Sequence, residues 1–453
     1  MTTPAAAPAV DTRPEPPRAF RWLVLLFVSL AMFGNYYVYD CISPLADVLK
    51  AQLGFSDANL GLLQAIYSVP NIVMVLIGGI IIDRIGTKRS TLIFALVCLV
   101  GAVVTVSSGR LATMAAGRLI FGLGAESMIV AVTTALARWF KGKELSFAFG
   151  VNLTIARLGS FAALNSPSWA GPAYATWKGP LLISVTFAVV AVVAAIVYWL
   201  LEARAERAYA LGTAGQTDKV VLGDIFRFSP SYWLIVALCV TFYSGIFPFQ
   251  TFAVKFFMDV HGTSRELGGS LSSMLTLFAM VATPAFGLMA DRIGRRALLM
   301  MFASLLLTPV YLLMAYTRMP QLLFGTISIP FFDWFVWQMP FYLPMIMMGI
   351  AFSLIPAVMW PSVAYVVEES KLGTAYGLMT LVQNVGLTAF NLAIGAANDY
   401  TGASATNPGG YALGMWIFST LGLFGLLFAW LLRRVETGPR AHGLETITTG
   451  GAK

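Results

Sequence analysis

Asp83-Arg84-Ile85-Gly86-Thr87-Lys88-Arg89 and, 208 residues further on, Asp291-Arg292-Ile293-Gly294-Arg295-Arg296 are one short phrase written twice. Each copy follows a Gly-containing apolar run of helix length and precedes another. Each stands after the second run in a group of six, and the spacing matches half of the apolar region. The chain therefore reads as two six-helix halves related by a parallel repeat. The phrase has a mechanical reading. Two helices must reverse within a few residues, which Gly86 and Gly294 permit. The carboxylates of Asp83 and Asp291, with Arg84 and Arg292 beside them, can bond helix ends or basic groups across that face. Such contacts latch one conformation and release in another. These six residues are the candidate gating set.

Outward from the repeat, the composition fixes the solvent. Of 453 residues, 58% are hydrophobic and 11% charged, too apolar for a soluble globular chain. Twelve bilayer-length runs are expected near 21–42, 58–82, 90–108, 112–138, 145–167, 179–201, 232–254, 267–290, 297–316, 341–366, 373–396 and 411–434. The expected fold is an all-α membrane protein with twelve transmembrane helices. Its parts are a disordered tail over 1–20, a first half over 21–201, a polar linker over 202–231, a second half over 232–434, and a tail over 435–453.

The net charge of +8 suggests nucleic acid until its distribution is read. With the N-terminus placed in the cytoplasm, 21 Lys and Arg residues fall on that side and 6 on the other. This asymmetry sets orientation, with both termini cytoplasmic, rather than binding nucleic acid. Cys41, Cys98 and Cys239 fall in apolar runs without a CxxC pair, and His261 and His442 lie outside the runs. No nucleophile–base pair, catalytic residue, metal site or cofactor is expected, so the chain does not read as an enzyme.

Two charges stand deep inside consecutive runs. Glu126 lies 12 residues from the end of the fourth run at Arg138, about 18 Å. Arg157 lies 13 residues into the fifth from Glu144, roughly 19–20 Å. Both reach the midplane, where a charge is expensive and marks a partner, a cavity or a substrate. An acid and a base at one depth can hold a zwitterion by its two ends. The Arg fork suits a carboxylate, and Glu126 accepts from an ammonium. A permanent structural ion pair is the competing reading.

Other positions carry weaker signals. Arg118 sits two turns inside its helix, where structural pairing is favoured over proton coupling. Asp40 follows Tyr36, Tyr37 and Tyr39, a set that lines either a wet cavity or the interface. Lys255 reads as a solvated interface residue, with pairing to Asp40 as the alternative. Gln383 and Asn384 serve either peptide groups or interhelical packing. Phe331, Phe332, Trp334, Phe335 and Trp337 within 317–340 read as an interfacial aromatic belt.

The doubled Asp-Arg-x-Gly-x-Lys/Arg phrase is similar to the signature of the major facilitator superfamily, and Gly117-Arg118 through Gly124 resembles its fourth-helix motif. Within it, the window from Gly117 to Ser160 resembles the lysosomal dipeptide transporter branch, major facilitator superfamily domain-containing protein 1 in animals. Trp139-Phe140-Lys141-Gly142-Lys143-Glu144-Leu145 is its most distinctive run. Trp360 to Ala364, Leu372 to Gly377, Gln383-Asn384, Tyr39-Asp40 and Phe247-Pro248-Phe249 extend the likeness through most of the apolar region. The resemblance implies transport of dipeptides with little side-chain selectivity. Glu126 would engage the amino end, Arg157 the carboxylate, and Trp360 the side-chain pocket. Helix five lacks the Gly-Pro-x-x-Gly-Gly element of drug–proton antiporters.

Animal members of the branch reach lysosomes through an acidic dileucine signal and pair with a glycosylated partner. No such signal stands in residues 1–18, and the Asn152-x-Thr154 sequon lies inside helix five. The expectation is a bacterial inner-membrane relative, a monomer without an accessory glycoprotein, working by alternating access as a uniporter. Its substrate-binding candidates are Glu126, Arg157, Tyr36, Tyr39, Asp40, Trp360, Gln383 and Asn384. The alternatives are a proton-coupled carrier of another small organic anion and a non-transporting nutrient receptor.

Overall fold

The structure, a computed structural model, describes residues 13–140, 144–211, 228–316, 339–368, 371–439 and 441–448. Twelve long helices occur among them. The first half holds α1 (Arg18–Asp40), α2 (Asp57–Ile85), α3 (Thr87–Ser107), α4 (Leu111–Phe140), α5 (Leu145–Leu164) and α6 (Lys178–Ala208). The second holds α7 (Pro230–His261), α8 (Arg265–Ile293), α9 (Arg296–Tyr316), α10 (Met339–Val366), α11 (Leu372–Thr401) and α12 (Ala412–Glu436). Eleven spans are long and apolar enough to cross a membrane, and the bent α2 makes a twelfth. In hydrocarbon a helix satisfies its own backbone, which is why apolar runs of this length take this form. Their polar ends need caps. Ser56, Ser229 and Ser264 accept from the amides of Asn59, Tyr232 and Leu267 at the starts of α2, α7 and α8.

Gly86 (φ 81°) ends α2 and Gly294 (φ 66°) ends α8. Both take a positive φ at the repeated phrase, a backbone open to glycine without a Cβ penalty. Asp83, Arg84 and Arg292 are exposed there. Asp291 accepts from Arg296 at 3.0 Å within its own half.

Within the first half, α1 packs on α5 and α6, α3 on α4 and α6, and α2 on α4. Within the second, α7 packs on α12 and α11, α9 on α12 and α10, and α8 on α10. Between the halves, α2 meets α11 and α5 meets α8. The end of the bundle bearing Arg18 and Glu436 is termed the terminal face, and the opposite end the far face.

The parts end elsewhere than their polarity suggests. The linker expected from 202 begins later, because α6 stays helical to Ala208. Glu202 and Glu206 are one turn apart, and Arg138 of α4 binds both, at 2.6 and 3.3 Å; Lys88 also holds Glu206. The polar residues that resembled a linker are this helix's anchor. At the other end, Pro230 and Ser231 already belong to α7. The N-terminal tail likewise yields to helix at Arg18, and the C-terminal tail begins after Glu436.

That C-terminal tail folds back on the second half. Glu445 accepts from the amides of Ala297 (2.8 Å) and Leu298 (3.3 Å), capping α9. Glu436 binds Ser231 (2.5 Å) and the amide of His442 (2.8 Å). The expected aromatic belt at 331–337, and Asp218, Lys219 and Asp224 of the linker, lie outside the described residues.

Candidate functional site

A cavity of about 330 Å³ lies between the halves. From the first half it is lined by Asn35, Tyr36, Tyr39 and Asp40 of α1, Tyr67 of α2, Glu126 of α4, and Arg157 and Ser160 of α5. From the second come Tyr243, Phe247 and Gln250 of α7, Thr276 of α8, Phe352, Pro356 and Trp360 of α10, and Gln383 and Asn384 of α11. All eight substrate-binding candidates therefore line one space.

Their placement follows from helix periodicity. Tyr36, Tyr39 and Asp40 stand at i, i+3 and i+4, so α1 presents one face to the cavity. Glu126 accepts from Tyr67 Oη at 3.4 Å. Arg157 lies with its guanidinium carbon 5.6 Å from the centre of the Phe352 ring. Its buried Nη1 has no hydrogen-bond partner among the described residues. No ion pair joins Glu126 to Arg157, so the permanent pair weighed from sequence is absent between these two. The remaining acid, Asp40, is buried and faces Ser160.

The second half contributes an uncharged wall. Trp360 Nε1 donates to Tyr243 Oη at 2.9 Å, and Tyr376 donates to the Trp360 carbonyl at 3.2 Å. Tyr243 stacks on Phe247 with centroids 5.7 Å apart. Gln383 accepts from the Cys239 thiol at 3.5 Å. Asn384 accepts from Asn71 of α2 (3.4 Å) and donates to the Thr380 carbonyl (3.0 Å). It is thus also a tie between the halves, the second of its two sequence readings.

Arg118 lies outside this space. It is fully buried and donates to the carbonyls of Val38 (2.9 Å), Tyr39 (3.1 Å) and Leu63 (3.3 Å), and to Gln64. The first two are orphan carbonyls at the end of α1, so Arg118 is a helix cap supplied from α4. The structural reading of this residue fits the geometry.

The far face is shut by charges that sequence reasoning placed wrongly or missed. Lys255 is neither solvated nor paired to Asp40. It is 3% exposed, and its ammonium lies 2.7 Å from both carboxylate oxygens of Asp57, itself fully buried. Asp259 lies 3.7 Å away. The error has a physical cause: at the end of an apolar run Lys255 reads as wet, and the partner that buries it stands on another element, far away in sequence. Asp399 of α11 accepts from the amides of Asp57 and Ala58, both at 2.8 Å, capping α2 across the gap. Arg265 binds Asp47, and Asn165 donates to Ser273 at 2.5 Å.

Small residues complete the seal. A Cβ at Gly61 would collide with the Asn391 carbonyl, at Gly395 with that of Asp57, and at Gly269 with that of Leu164. Gly150 of α5 and Gly287 of α8 have no atom within 4 Å of an added Cβ. These contacts between the halves gather at the far face, beyond the cavity.

The Major Facilitator Superfamily profile matches residues 28–386 and 249–449. The lysosomal dipeptide transporter MFSD1 of Danio rerio is 34% identical over 84% of this chain and 81% of its own length. The human protein of the same name is 33% identical over 88% and 84%. Among solved structures, a bacterial homologue of the human lysosomal transporter Spinster, inward-facing and unoccupied, superposes with a TM-score of 0.71. It is 17% identical, covering 92% of this chain and 98% of the other. The last comparison speaks to fold alone, and with the profile and the relatives it leads to one assignment: the chain is a multi-pass membrane transporter that belongs to the Major Facilitator Superfamily.

Proposed function

We propose that this transporter carries dipeptides, with Glu126 receiving the peptide ammonium and Arg157 its carboxylate. The observation that carries the reading is that these two intramembrane charges share one cavity without pairing to each other. A free zwitterion supplies a counter-charge to each, offsetting desolvation that neither relieves for the other. The names of the two MFSD1 relatives support the same substrate class. The neutral aromatic wall of Tyr243, Phe247, Phe352 and Trp360 offers area without a fixed hydrogen-bond code, which suits varied side chains. Tyr36, Tyr39, Asp40, Gln383 and Asn384 complete the contact set.

The protein works as a monomeric uniporter in the bacterial inner membrane, both termini cytoplasmic. The far face is then external, and the conformation opens inward. Alternating access requires the Lys255–Asp57 and Asp399 contacts to break while contacts form at the terminal face around Asp83, Arg84, Gly86, Asp291, Arg292 and Gly294. The sequon Asn152 is buried and donates to Ser29 at 3.0 Å, a position closed to glycosylation of this chain.

Thermal unfolding of the detergent-purified protein against a ligand panel tests the substrate. The panel holds dipeptides, their N-acetylated and C-amidated forms, amino acids, sugars and small acids. Ligand at 100 times its dissociation constant adds about 2.7 kcal/mol. Stabilisation by free dipeptides, lost when either end is blocked, is the expected result. A shift for another organic anion with a flat response to dipeptides overturns it in favour of an anion carrier. Counterflow in liposomes holding only this protein separates a transporter from a receptor.

A further inference from the structure

The two intramembrane arginines are provided for in opposite ways. Arg118 is held by three carbonyls and an amide oxygen. Arg157 has a buried nitrogen without a hydrogen-bond partner among the described residues, and the face of Phe352 lies 5.6 Å from its guanidinium carbon. That ring is itself fixed. It is 7% exposed, stacks near Phe242 (6.4 Å, 21°) and meets Phe247 edge-on (5.8 Å, 80°). Phe352 stands on α10 and Arg157 on α5, so the contact crosses the cavity from one half to the other. A flexible guanidinium in a space of 330 Å³ otherwise has many rotamers to lose on binding a ligand. A ring face restricts it while leaving its in-plane N–H edges free for a carboxylate, because cation–π attraction uses the face and hydrogen bonding the edge.

We infer that Phe352 of the second half positions the Arg157 guanidinium of the first half for the substrate's carboxylate, so that reading this end group requires both halves. Phe352 is a positioning residue and makes no bond to the carboxylate itself. The inference rests on the dipeptide reading above, and the experiment separates the failure of one from the failure of the other.

The measurement is the dissociation constant of one dipeptide and of its C-amidated form, on wild type, Phe352→Leu, Phe352→Tyr and Arg157→Ala. In wild type the free dipeptide binds more tightly than the amide. Phe352→Leu keeps an apolar side chain and removes the ring face. It should weaken the free dipeptide roughly tenfold more than it weakens the amide, collapsing the ratio. Phe352→Tyr retains the face and should restore it. Equal weakening of both ligands by Phe352→Leu, or an unchanged ratio, means a passive wall and overturns the inference. If the Leu variant does not fold, Phe352→Met is judged by the same ratio. An Arg157→Ala protein that still prefers the free dipeptide overturns the underlying substrate reading, and the inference with it.

Discussion

At the scale of the residue, burial alone does not separate a structural charge from a working one; the inventory of partners does. Arg118 saturates the carbonyl end of α1 and reaches α2. Arg118→Leu removes the Arg118 donor from the Tyr39 carbonyl and the Gln64 amide oxygen, at about 1–3 kcal/mol for each buried group left unsatisfied. A fall of about 3 kcal/mol or more in unfolding free energy, read as a large drop in melting temperature, is expected. Arg157→Ala removes a guanidinium that stabilises little. Its unliganded melting temperature should stay close to wild type while dipeptide-induced stabilisation disappears. A variant that retains that stabilisation contradicts the clamp. Both arginines were visible in the sequence as charges within apolar runs, and their depths separated them: one near a helix end, one at the midplane. Phe352, Tyr243 and Tyr67 were not visible as cavity residues. Aromatic residues make up 13% of the chain, and a ring facing lipid carries the same letter as one facing a substrate.

At the scale of the element, α2 and α11 act as a zip. Gly61 and Gly395 let their backbones touch near the far face, and Asn71 with Asn384 ties them further in. Gly395→Leu inserts a side chain against the Asp57 carbonyl and should part the two helices there. Spin labels on the far ends of α2 and α11 should move to longer distances. An unmoved distribution means that this contact does not hold the far face closed. Gly86 differs, since a Cβ there meets nothing within 4 Å and only its φ of 81° resists a side chain. Gly86→Ala should cost about 1 kcal/mol in stability without a change in distances. Helix number and the positions of these reversals were legible because apolar length and a repeated turn motif report local physics. The end of α6 was not. Glu202 and Glu206 are helical because of Arg138 and Lys88 on other elements, and composition alone records no such partners.

At the scale of the whole molecule, the far face is closed by a buried ion pair whose members belong to different halves. Lys255→Met removes the nearer of two ammoniums from the Asp57 carboxylate and leaves it only Lys50, 3.6 Å away; a buried charge that loses its close partner is destabilised, by at most about 3–5 kcal/mol. Opening the far face hydrates it, so the population should shift toward a far-open state, measured as longer distances between the halves at that face. Adding Asp57→Asn to Lys255→Met removes the under-compensated charge and should reverse most of the shift. The two-fold plan of the molecule was legible in the spacing of Asp83 and Asp291, whereas the pairing of Lys255 with Asp57 needed the halves brought together in space. The cavity also departs from that two-fold plan. Every ionisable acid or base named along its wall, Asp40, Glu126 and Arg157, stands in the first half, and the second presents rings and amides. The two six-helix halves thus contribute different chemistry to one cavity. If the proposed dipeptide clamp holds, grafting the second half of a relative onto this first half exchanges tolerance for side chains while leaving the demand for free peptide ends where it was.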